Sequence, residues 1–136
     1  MNLYEQLLKA DQEKAREYAT GTYKSKRLAR VLGQDKPVEM KIREVDIETI
    51  KNIQQYSTRR DGTLDRNKTF DSNLMLVAEG VVDPDLKNEE LQKHFNAADA
   101  VELAGILFRF ESAFIADEII KLSNMSRTDI EDTIKN

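Results

Sequence analysis

Cysteine and tryptophan are absent from the 136 residues, and histidine occurs once. The lack of thiols excludes a disulfide scaffold, a thiolate zinc site and a cysteine nucleophile, and it fits a reducing compartment. No run of about 18 apolar residues is available to cross a bilayer. The opening stretch MNLYEQLLKADQEK carries a charge every few residues and lacks the apolar core of a signal peptide. Internal repeats and low-complexity tracts are also missing. These absences predict a soluble, cytosolic, single-domain chain over residues 1–136, large enough for a core yet small enough to leave much apolar surface uncovered.

What is present is charge, unevenly spread. Residues 1–72 hold 15 Lys and Arg against 12 Asp and Glu, residues 73–136 hold 6 against 13, and the net charge is −4. The basic end is therefore only locally basic. Asn2 is placed to cap a helix over residues 1–20, with Leu3 and Leu7 near one face and Gly21 past its end. VEMKIREV, residues 38–45, alternates Val38, Met40 and Ile42 with Glu39, Lys41 and Arg43, the period of a strand with one wet face. KRLARVL, residues 26–32, precedes it across Gly33 to Pro37. The reading is a β-hairpin over residues 22–45 that must lean on helices or on another chain.

Residues 46–124 read as a helical core. Asp46 caps a helix carrying Ile47, Ile50, Ile53 and Tyr56, with Val45 and Ile50 as a hydrophobic staple. Residues 57–65 form a loop around Gly62. Thr69 caps the next helix, which carries Phe70, Leu74, Val77 and Val81 and stops at Asp83-Pro84. Asn88, followed by Glu89 and Glu90, opens a short helix. Asn96 opens a long one from Ala97 to about Leu122, closed by Asn124. Thr128-Asp129-Ile130-Glu131 has capping-box spacing for a last short helix in the tail, residues 125–136. The predicted fold class is mostly α with a small β-hairpin (α+β), a helical domain built around a long C-terminal helix.

That long helix has two apolar faces. At about 100° per residue, Leu103, Leu107, Phe110 and Phe114 form one stripe. Val101, Ala104, Phe108, Ile115, Ile119 and Leu122 form another on roughly the opposite side. One face enters the core, and the other is covered either within the monomer or by a second protein. Phe108, Ile115, Ile119 and Leu122 are the candidate protein interface; Leu103, Leu107, Phe110 and Phe114 read as intrinsic core.

Reactive constellations are scarce. Glu90 and His94 share a helical face, but two ligands fall short of the three or four of a zinc site, so a solvated pair is favoured. Asp61 to Asn67 begins like a calcium loop, yet Arg66 stands where the turn glycine belongs and Ser72 replaces the bidentate Glu. Glu111 and Glu118 lie on one side of the long helix without a nucleophile, an oxyanion donor or a phosphate loop. No catalytic, cofactor-binding or metal-binding residue is assigned, no cofactor is expected, and the expectation is that the protein is not an enzyme. Lys24, Lys26, Arg27 and Arg30, with Tyr23 beside them, offer phosphate contacts, although the acidic balance favours a solvated face.

Taken in order, TYKSKRLARVLG, PVEMKIREVDIETI, FDSNLMLVAEGVVDPDLKNEELQKHF and AADAVELAGILFRFESAFIADEIIKLSN make the chain resemble the XkdN-like phage tail assembly chaperones, found in phages and prophages of Gram-positive bacteria. The similarity spans residues 20–124 and is most specific at the VVDPDLKNEELQKHF junction and the final helix. The resemblance implies a small α-rich protein of the bacterial host cytoplasm that binds the tape measure protein, keeps it soluble and promotes tail-tube polymerisation around it. It carries over no catalytic residue. The implied partners are the tape measure protein and the tail-tube protein, with a homo-oligomer compatible and neither nucleic acid nor membrane expected. The alternative is a nucleic-acid-associated accessory protein using the basic hairpin, which the steep salt dependence of phosphate contacts would reveal.

Overall fold

Thr20–Ser25 (β1) and Val38–Arg43 (β2) pair antiparallel with Tyr23 opposite Met40, and Val81–Asp83 (β3) joins the other side of β2. The result is a three-stranded antiparallel sheet in a mostly helical fold; the computed structural model describes residues 1–123. β2 alternates as its sequence predicts: Met40 and Ile42 are buried while Glu39 and Lys41 face water. Its expected partner, however, is not a strand. KRLARVL forms a helix, Lys26–Leu32 (α3), and the strand paired with β2 is TGTYKS just before it. The Ser25 hydroxyl accepts from the Leu28 amide at 2.9 Å and starts α3. Gly33, at φ 69°, closes it, with the Gln34 amide reaching back to the Ala29 carbonyl at 2.8 Å.

The N-terminal segment is also broken where one helix was expected. Leu3–Lys9 (α1) is capped by Asn2, and Gln12–Arg16 (α2) restarts on the Asp11 side chain, which accepts from the Glu13 amide. Asp11 diverts the backbone into its own cap instead of continuing α1. Gly21 lies inside β1 rather than ending a helix.

Ile47–Ser57 (α4) begins on Asp46 as predicted, and Val45 and Ile50 on either side of the cap are both buried. Arg66–Gly80 (α5) begins on Asp65, which accepts from the Asn67 and Lys68 amides. Thr69 is therefore inside the helix, its hydroxyl bonded to the Asp65 carbonyl, and not the cap. α5 ends at Gly80 and runs directly into β3, so Val81 belongs to the sheet. α5 packs against α4 and the two final helices, and it is the central element of the fold.

Glu89–His94 (α6) starts on Asn88 as expected. Asn96, at φ 54°, terminates α6, and the Ala97 amide bonds the Gln92 carbonyl at 2.8 Å. The next helix, Ala100–Phe108 (α7), is instead capped by Asp99, which accepts from the Glu102 amide. It does not continue to Leu122. The chain turns at Arg109, and a separate helix, Glu111–Lys121 (α8), follows. The expected single long C-terminal helix is thus two, and α5 takes its central place. The helix ends predicted at Asn124 and Thr128 lie outside the described residues.

Candidate interaction surface

The turn at Arg109 decides which apolar side chains face water. Phe108, Ile115 and Ile119 are core, at 1%, 0% and 0% exposure, and Leu122 is half-buried. α8 crosses α5 so closely that a Cβ on Gly80 would lie 2.5 Å from Ile119 Cδ1. Leu122 is against β1, where a Cβ on Gly21 would lie 3.0 Å from its Cδ2. The stripe expected to be an interface is therefore turned inward within the monomer. The other stripe is split: Leu103 and Leu107 are buried, whereas Phe110 is 81% and Phe114 64% exposed. The core assignment fails at those two positions because the chain changes direction between Leu107 and Phe110.

Exposed apolar surface gathers elsewhere as well. α4, α5 and α7 leave between them an open groove of about 530 Å³, with Ile53 and Tyr56 from α4, Met75 and Ala78 from α5 and Ala100 and Val101 from α7. The rim is polar: Thr49 and Asn52 on α4, Asp99 at the start of α7, and Glu79 paired with Lys87 at 3.1 Å. Tyr56 sits at the edge, 43% exposed, with the Lys68 ammonium 5.2 Å from its ring centre. The sequence had placed Ile53 and Tyr56 on one helical face. Met75 and Val101 come from helices distant in sequence, and only packing brings them together.

The residues weighed for other chemistry are dispersed or paired. Glu111, expected to be a solvated carboxylate, accepts from the Ser25 hydroxyl and from the Lys26 and Arg27 amides at 3.2 and 3.3 Å. It tethers the start of α8 to the start of α3, where a carboxylate suits the positive end of the helix dipole. Glu118 pairs with Lys121 at 3.0 Å. The same carboxylates bear on Tyr23: partial burial first, then the charges of Glu111 and Glu118, raise its phenol above the ordinary range. Lys24, Lys26 and Arg30 are exposed near Glu111, so the basic cluster has an acidic group built into it. His94 stacks edge-on against Phe95, and with Glu90 it lines a shallow pocket beside Asp83 and Asp85. Among the described residues no three His, Cys, Asp or Glu side chains are grouped to hold a metal ion. Asp61 is engaged in its own turn, accepting from the Thr63 amide and hydroxyl. Among the same residues no helix is long and apolar enough to cross a membrane.

A protein-family model described as Phage XkdN-like tail assembly chaperone protein matches residues 4–135. No curated protein and no solved structure matches the chain.

Proposed function

The chain belongs to the XkdN-like phage tail assembly chaperones, and from that premise we propose that it binds the tape measure protein through the groove between α4, α5 and α7. A tape measure protein is long and helical, and its amphipathic helices aggregate when their apolar faces meet water. A groove with an apolar floor and a charged rim suits one such helix: Ile53, Met75, Ala78 and Val101 take its apolar residues, and Glu79, Lys87 and Asp99 meet its polar flanks. Half-exposed Met75 and Tyr56 favour a tolerant surface, because a thioether and an aromatic ring adapt to helices of varied sequence. Holding the client in this way keeps it soluble in the host cytoplasm until tail-tube subunits polymerise around it. The observation that carries this reading is the groove itself, an apolar recess on a chain of an assembly-chaperone family.

Co-expression with the tape measure protein encoded beside it tests the proposal. The soluble yield of the tape measure protein is expected to rise and the two proteins to copurify. A tape measure protein equally soluble alone would remove the physical basis of the role. The basic cluster supports no second reading, since Glu111 lies within it; a salt-sensitive gel shift with DNA or RNA near physiological salt would argue otherwise.

A further inference from the structure

Arg109 has φ 50° and ψ −128°. These angles belong to the first central position of a type II′ turn, the place where glycine is favoured because a Cβ is crowded there. Nothing local compensates. α8 starts at Phe110 with no side-chain cap, whereas α1 to α7 each begin on an Asn, Asp or Ser side chain. Between Leu107 and Ala113 there is neither glycine nor proline. The segment is thus bent by its surroundings while its sequence reads as one continuous helix, in which Leu103, Leu107, Phe110 and Phe114 lie on a single stripe.

We propose that the chain forms a dimer by exchanging α8 between two copies, with Arg109 as the hinge. On exchange, α7 and α8 straighten into one helix and Arg109 relaxes to helical angles. α8 cannot leave its site empty, because Ser112, Ile115, Ala116, Ile119 and Ile120 are buried there. A second copy is the one partner that returns every one of these contacts, including Glu111 on Ser25. It also covers what the monomer leaves bare. Phe110 and Phe114 flank the hinge, and only Phe70 stacks on Phe110, edge-on at 5.9 Å. In the exchanged pair the two straightened helices pass each other at the hinge, where these rings meet their symmetry mates. Strained short hinges between packed elements are the usual route to such exchange. The inference concerns self-association and does not depend on the client groove.

Size-exclusion chromatography with light scattering, on the full chain refolded at low and at high concentration, tests it. The expected result is a monomer and a dimer that interconvert slowly, because exchange requires α8 to leave the core. Arg109→Gly removes the strain of the bent form and weakens the straight helix, so it should move the ratio roughly tenfold or more toward monomer. Arg109→Ala keeps the strain, favours the helix and should enrich the dimer. Phe110→Asp, at an exposed position, should weaken the dimer and leave the monomer folded. A protein that is monomeric after refolding at every concentration would overturn the proposal. So would a dimer that Arg109→Gly leaves unchanged, or one that dissociates at once on dilution; loss through Leu7→Asp alone would assign association to α1 and have the same effect.

Discussion

Glu111, in the first turn of α8, accepts a hydrogen bond from the hydroxyl of Ser25, which itself accepts from the Leu28 amide at the start of α3. One carboxylate therefore fixes two helices separated by 86 positions in the chain. Glu111→Ala removes three hydrogen bonds and a favourable charge at a helix start, and a loss of about 1–2 kcal/mol is expected by thermal or chemical denaturation. Ser25→Ala breaks the same unit, so the double variant should lose less than the sum of the two single losses. Strict additivity would mean that Glu111 and Ser25 act separately.

Ile119→Asp and Phe114→Asp separate the two apolar stripes. Ile119 lies against Gly80 with no access to water, so Ile119→Asp buries an unpaired carboxylate at a cost of several kcal/mol and should unfold the protein. Phe114 is exposed, and Phe114→Asp should melt within a degree or two of the parent. Gly80→Ala places a methyl group on Ile119 and should cost about 1–3 kcal/mol by overpacking. Circular dichroism melts of the three variants check the order; a folded Ile119→Asp variant would contradict the packing of α8 on α5.

Tyr23 gives a pH dependence of stability. Its phenol is raised by burial and by the nearby carboxylates, so the folded state holds the proton more tightly than the unfolded chain. The stabilisation is complete below the ordinary tyrosine value of about 10 and is lost as pH rises through the raised folded value. Denaturant midpoints should therefore fall above about pH 10, and less so in Tyr23→Phe. Equal alkaline losses in the two proteins would remove Tyr23 from the account.

Local signals made much of the fold legible. The alternation of β2 and the caps at Asp46 and Asn88 were readable because each rests on residues a few positions apart. α3 was misread as a strand because seven residues are too few to show a period, and part of what fixes its start, Glu111, is distant in sequence. The break at Arg109 carried no punctuation, since an arginine occupies a glycine-type conformation. Two opposite apolar stripes gave no sign of which would face α5, and the choice went against Phe108, Ile115 and Ile119 as surface. The groove was half visible in Ile53 and Tyr56; Met75 and Val101 needed the tertiary packing of α5 and α7.

The most direct test of the groove is copurification of the co-expressed tape measure protein with three forms of the chain: the parent, Tyr56→Asp and Ile47→Asp. Both variants place a carboxylate at a half-exposed position of α4, Tyr56 on the groove edge and Ile47 on the opposite side of the helix, so neither should unfold the domain. The account predicts that the parent and Ile47→Asp retain the client, while Tyr56→Asp loses at least about tenfold of it. Equal retention by all three, with matching thermal melts, would contradict the assignment of the groove as the client site.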